Sequence, residues 1–248
     1  MHYDQWKDRE VKEQITYNLM NIVKSARKMH YWGSQYNIKN LLFLPSLGML
    51  DLRVMEKLKM VGKLTNIVAI EKEGWIASRI KTELRNRGYR NVTVIRSSMD
   101  EINGNYLKAL APSGFDFAYL DSCSEPTYYM RHWLENHLKP NLAYKYFLAT
   151  NWCGADRSHC ADDYSDHHPA AQFSINEAAG RYANALSLTI DEPVYDLVTY
   201  KEYGRAVAMN LCLQTNYSDN CKFGFNSAIR NLGYKNQQEI NQECGLLF

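Results

Sequence analysis

The chain has 248 residues, with 29 Lys and Arg against 27 Asp and Glu and a formal net charge of +2. That length can bury a core as one large α/β domain or two small ones. The near balance of charge excludes a polybasic coat and an acidic tail, yet allows a local basic patch. At 46% hydrophobic and 23% charged, the composition is that of a globular protein and not of a disordered one. Apolar runs such as Leu41–Pro45 fall far short of the roughly 20 residues of a membrane span. The stretch Met1–Asp8 has no apolar h-region, so a cytoplasmic protein without a membrane span is expected. Six cysteines, without a Cys-x-x-Cys pair, read as reduced thiols.

Elements follow in an alternating order. From Asp4 to about Met29, Val11, Ile15, Leu19, Ile22, Val23 and Ala26 recur at helical spacing and predict one long amphipathic helix. Asn40–Pro45 is a continuous apolar run of the kind found in strands covered on both faces. Asp51–Met60 is expected to be helical, Thr65–Ile70 a second strand, and Gly74–Arg87 a helix stopped by Gly88. Asn91–Ile95 and Phe115–Leu120 are the third and fourth strands. Pro126 opens a helix to about His137, and Lys145–Thr150 is the fifth strand. Ser174–Glu177 is a capping box that predicts a helix through Leu186. Val194–Tyr200 and Ala206–Leu213 flank a loop of hairpin length. Strands separated by helices make βαβ units and a doubly wound, mostly parallel sheet, to which the hairpin adds an antiparallel edge.

Such sheets bind ligands beyond the carboxyl ends of their strands, where strand order reverses. Four segments qualify: Ser46–Met49, Glu71–Glu73, Ser97–Asp100 and Asp121–Ser124. A carboxylate at the tip of the second strand, Glu71, stands 23 residues past Gly48, placed to accept both hydroxyls of an adenosine ribose. A second role for Glu71, capping the Gly74 helix, stays open. Gly48 allows close backbone approach to a ligand or serves as a plain turn residue. Asp121 suits either substrate orientation or an N-cap of the following helix.

Taken in strand order, Asn40–Leu213 resembles the class I S-adenosylmethionine-dependent methyltransferases. The turn Ser46-Leu47-Gly48 lies where that family has its glycine-rich loop, and Glu71 matches its ribose-binding acid. Val92–Met99 matches the segment whose last residues, Ser98 and Met99, flank the adenine. Asp121 matches the acid at the end of strand four, and Leu138-Lys139-Pro140-Asn141 resembles the turn before strand five. The resemblance implies a Rossmann-like methyltransferase fold with a seven-stranded sheet and a C-terminal antiparallel hairpin. It further implies S-adenosylmethionine as cofactor, held by Ser46, Gly48, Glu71, Ser98, Met99 and Asp121. Methyl transfer to an oxygen or nitrogen would take place beside Asp121 and Asn151, with Tyr128 and Arg157 at the rim.

The departures are specific. Leu44–Leu50 keeps one glycine where the family has three, and its first-strand acid is missing; Asp51 is the nearby substitute for holding the methionine ammonium. No Asn/Asp-Pro-Pro-Tyr motif follows strand four. A binding or assembly protein that kept this fold without catalysis is therefore the alternative.

The resulting organisation is an N-terminal helical extension over 1–39, the methyltransferase-like domain over 40–215, and a tail over 216–248 packing on it. The run Cys153–His168 is rich in ligand types but matches no common zinc spacing, so it is read as a loop over the cleft with no metal. Arg79, Lys81, Arg85, Arg87 and Arg90 form a solvated basic face or a nucleic-acid contact. The acceptor is a small molecule or a nucleic acid. The apolar end Gly245–Phe248 suits docking on the body or on a second subunit of a homodimer.

Overall fold

Helices and strands alternate along the chain because apolar runs short enough for strands are punctuated by amphipathic segments. The computed structural model describes residues 9–30, 37–45, 48–122, 128–153, 194–202, 205–215 and 235–236. In chain order these hold α1 (Arg9–His30), β1 (Asn40–Phe43), α2 (Leu50–Lys57), β2 (Asn66–Ile70), α3 (Gly74–Asn86) and β3 (Asn91–Ile95). A 3₁₀ turn (Met99–Glu101) follows, then α4 (Gly104–Leu110), β4 (Phe115–Ser122) and α5 (Tyr128–Trp133), which runs into a π turn (Leu134–Leu138). The remainder is β5 (Leu142–Cys153), β6 (Val194–Glu202), β7 (Arg205–Thr215) and β8 (Lys235–Asn236). The expected helix from Ser174 to Leu186, the loop 154–168, Pro126 and most of the 216–248 tail lie outside the described residues. Among the described residues no helix is long and apolar enough to cross a membrane.

One sheet collects all the strands in the order β3-β2-β1-β4-β5-β7-β6-β8. Strands β1 to β5 pair in parallel, and β7 runs against both β5 and β6. The count is eight and not the expected seven, because the two-residue β8 joins β6. The chain winds outward from β1 to β3, returns to the middle, and winds the other way through β4 and β5. Helices cover both faces, and strand order reverses between the carboxyl ends of β1 and β4, the place where open sheets of this kind hold their ligands.

Period-two alternation divides the core. Leu41, Phe43, Ile67 and Ala69 face a layer of α1, α2 and α3 residues that includes Leu19, Met20, Val23, Leu52, Met55, Ile76, Ile80 and Leu84. Leu42, Val68 and Ile70 face the other layer, with Leu107, Trp133, Leu134 and Leu138. Within β4 the alternation breaks. Phe115 joins the second layer whereas Phe117 and Tyr119 join the first, because the register with β5 slips between Phe115 and Phe117. The residue at the slip is Asp116. Its carboxylate accepts from the backbone N–H groups of Lys39 (3.0 Å) and Asn40 (2.7 Å) and from the Arg27 guanidinium of α1 (2.8 Å). The bulge thereby ties the N-terminal helix to the amino end of the sheet.

Helix boundaries move slightly from expectation. Helix α2 stops at Lys57 instead of Met60 because Lys59 takes a left-handed conformation (φ 56°). Strand β5 starts at Leu142 instead of Lys145 and pairs there with Phe115. A short helix, α4, stands where none was expected; Asn103 caps it by accepting from the Asn105 N–H at 2.7 Å.

Candidate functional site

The register brings the strand tips into one row. Phe43 pairs with Ala69 on one side and with Tyr119 on the other, so Glu71 and Asp121 each lie two residues beyond a partner of Phe43. They flank the end of β1 at the same level. Asp121 in turn pairs with Asn151 across β4 and β5, so three residues singled out from sequence share one end of the sheet.

Glu71 is half-buried. Its Oε1 accepts from the Glu73 N–H at 2.8 Å, and its own N–H donates to the Ile95 carbonyl at 3.0 Å. Burial raises its pKa above the ordinary carboxylate value. The N–H groups of Glu73 and Lys72 oppose that shift, whereas the nearby Glu73 charge adds to it. The backbone of the turn before α3 thus orients the carboxylate, and Glu73, not Glu71, is the N-cap residue of α3.

The turn after β1 differs from the glycine-loop expectation. Gly48 is exposed and has no positive φ; a Cβ there would lie 3.6 Å from Arg53 Nη2, an ordinary contact. The left-handed conformation falls instead on Met49 (φ 44°, ψ 42°), whose side chain is buried with Leu52 and Met55. A non-glycine residue in this region is held there by its surroundings; here apolar burial supplies the hold. Ser46 lies outside the described residues.

Beyond β3, Ser98 serves its own turn. It caps the 3₁₀ turn in a capping box with Glu101, its N–H donating to Glu101 Oε2 at 3.1 Å, and its hydroxyl hydrogen-bonds Asp100. Ser97 donates to the same Glu101 oxygen at 2.9 Å. Met99 packs inward with Ile70, Ile95 and Ile102. The Ser-x-x-Glu spacing was the sequence signal for this cap.

A buried polar cluster that sequence reasoning only touched at Asp51 lies below the row of tips. Asp51, in the first turn of α2, is 1% exposed; Tyr119 of β4 is 1% and Thr16 of α1 is 2% exposed. The Tyr119 hydroxyl stands against Asp51 and Thr16. Burial pushes its pKa well up, the Asp51 and Asp121 charges push the same way, and Thr16 works against them. The signals for these two residues were the alternation Phe117, Tyr119, Asp121 on one face of β4, and the spacing of Thr16 with Leu19, Met20 and Val23 on α1.

No family model matches this chain, and no curated protein matches its sequence. Among solved structures it is similar to a SAM-dependent methyltransferase from Aquifex aeolicus, with 16% identity over 71% of this chain and 81% of that one (TM-score 0.42). It is also similar to an O-methyltransferase of tomaymycin synthesis from Streptomyces achromogenes, with 12% identity over 77% and 78% (TM-score 0.49). An rRNA methylase from Streptococcus thermophilus gives 10% identity over 78% and 92% (TM-score 0.43).

Proposed function

We propose that this protein is an S-adenosylmethionine-dependent methyltransferase acting on an oxygen or nitrogen of its acceptor. The observation that carries the reading is Glu71: a half-buried carboxylate, oriented by two backbone N–H groups, at the tip of β2 beside the place where strand order reverses. A ribose diol donates two hydroxyl protons, and an oriented carboxylate accepts both.

The donor set of the chain fits such a cofactor. Glu71 takes the diol, and the buried Asp51 supplies a negative charge for an ammonium group where the first strand has none. Ser46 and Gly48 border the methionine part. Ser98 and Met99 shape the adenine end through the fold of their turn, because the Ser98 hydroxyl is engaged locally and the Met99 side chain is in the core. When bound, the cofactor supplies a sulfonium methyl group. Transfer then depends on holding the acceptor in line, and a base is needed only if the acceptor must lose a proton. Asp121 and Asn151, paired at the ends of β4 and β5, orient the acceptor and receive such a proton at the Asp121 carboxylate.

Calorimetric titration with S-adenosylmethionine and S-adenosylhomocysteine tests this. Binding of both is expected, and Glu71→Ala should weaken it by about 1.5–3 kcal/mol for each charge-assisted hydrogen bond lost. No heat with either ligand at high micromolar concentration would overturn the catalytic reading and leave a binding or assembly protein on the same fold.

A further inference from the structure

We infer that the β3 edge of the sheet, with the adjoining side of α3, binds single-stranded nucleic acid. Helix α3 buries Ile76, Ala77, Ile80 and Leu84. At 100° per residue, Gly74, Ser78, Lys81 and Arg85 share another side of it. Arg96 shows where that side points. It directly follows β3, and its guanidinium lies so close to Gly74 that a Cβ there would stand 2.4 Å from Arg96 Cζ. The Gly74–Arg85 side of α3 therefore lies along the outer edge of the sheet, with Arg96 at one end of β3 and Arg90 before the other.

Arg96, Lys81, Arg85 and Arg90 are all exposed. From Gly74 to Arg85 the helix rises roughly 16 Å, so four cations are spread along that length. Among the described residues none of the four has an ion pair. Of the neighbouring carboxylates, Glu83 and Glu56 hold Arg87 at 2.8 and 2.6 Å, Glu101 and Asp100 accept from Ser97 and Ser98, and Glu73, just ahead of Gly74, is exposed. Beside the head of the row, about a quarter turn round the helix from Gly74, Trp75 is 60% exposed.

Edge protection does not account for this arrangement. A strand guarded against pairing carries its charges on the strand, whereas Val92, Thr93 and Val94 of β3 have none, and an exposed tryptophan guards nothing. With a net charge of +2 for the whole chain, the patch is local. A row of unneutralised cations suits a chain of phosphates, and an exposed indole suits stacking on an unpaired base. A duplex would leave Trp75 without a base face, which favours a single strand. The face stands independently of methyl transfer.

The test is fluorescence anisotropy with a labelled single-stranded oligonucleotide of about 15 nucleotides, as RNA and as DNA, over a salt series. With four phosphates neutralised, the slope of log K against log salt is expected near −3. The Lys81→Gln/Arg85→Gln/Arg90→Gln variant should bring the slope to about −1 and lower affinity at least tenfold at low salt. Trp75→Ala should weaken binding about tenfold with the slope unchanged. All four side chains are on the surface, so an unchanged thermal midpoint checks that the variants fold. No binding by the native chain, a slope indifferent to the three Gln changes, or equal binding of anionic vesicles and oligonucleotide would each overturn the inference. None of these readouts depends on S-adenosylmethionine.

Discussion

The Arg27 guanidinium and the Asp116 carboxylate meet at 2.8 Å across 89 residues of sequence. Both side chains are withdrawn from water, at 3% and 12% exposure. Arg27 also donates to the Asn37 carbonyl at 3.0 Å, so one side chain closes the connection from α1 to β1 and pins it to β4. Replacing one member of a buried pair leaves the other charge uncompensated. Arg27→Leu is therefore expected to lower unfolding free energy by about 3–5 kcal/mol, read as a lower midpoint in urea denaturation. A loss below about 1 kcal/mol would mean that the pair behaves like an exposed one.

The strands of the parallel half were legible because residues buried on both faces leave continuous apolar runs, as in Leu41–Phe43 and Ile67–Ile70. Asp116 was not legible: a bulge breaks period-two reading, and a carboxylate between two phenylalanines gives no periodic signal. Arg27 was hidden for a related reason, since it is a charged residue on the buried side of α1, and Thr16 showed there only through its helical spacing with Leu19, Met20 and Val23. The placement of Glu71, Asp121 and Asn151 at one end of the sheet was legible from strand order alone, because parallel strands end at one edge. The conformation of Met49 was not, since its burial depends on tertiary packing against α2 and β1. Ser98 carried two signals at once, a strand tip and a capping box, and the local hydrogen bonds took its side chain.

Glu71 predicts opposite effects on stability and binding. Its carboxyl pKa is raised in the folded protein, chiefly by burial. The folded state thus favours the protonated form, and the protein loses stability as pH rises from the ordinary glutamate value of 4.5 through the raised folded value. Glu71→Gln should match or exceed the native thermal midpoint near neutral pH, and the difference should vanish below the ordinary carboxylate range. The same change should weaken S-adenosylhomocysteine binding about tenfold or more. Equal losses of stability and binding would show Glu71 to be a structural residue.

Tyr119 makes an alkaline prediction. Its hydroxyl pKa is well above the ordinary value of 10, as is that of Tyr89, which burial and the Glu56 carboxylate push up. Above pH 10 the unfolded chain releases these protons and the folded chain keeps them. Stability must then fall with rising pH, by about 1.4 kcal/mol per pH unit for each tyrosine. Tyr119→Phe should remove one proton from that slope while lowering stability at pH 7 by about 1–2 kcal/mol, because the hydroxyl is buried beside Asp51 and Thr16. Urea midpoints measured at several alkaline pH values give the slope directly; an unchanged slope in the variant would contradict the assignment.

Two glycines with similar crowding should respond differently to alanine. At Gly74 the atoms a Cβ would meet belong to the far end of the Arg96 side chain, 2.4 Å away at Cζ. That side chain is exposed and can swing aside, so Gly74→Ala should change stability by less than about 1 kcal/mol, with helix propensity working in its favour. At Gly114 the crowding is backbone: Ala143 N lies at 2.6 Å and the Leu142 carbonyl at 2.7 Å, and φ is +82°. Neither the turn nor the start of β5 can yield without breaking the Phe115–Leu142 pairing that sets the slip at Asp116. Left-handed backbone alone costs an alanine about 1–2 kcal/mol, and the clash adds to it, so Gly114→Ala should cost at least about 2 kcal/mol. Denaturant midpoints of the two variants against the native chain decide the matter, and a Gly114→Ala protein as stable as Gly74→Ala would mean the turn before β4 is free to relax.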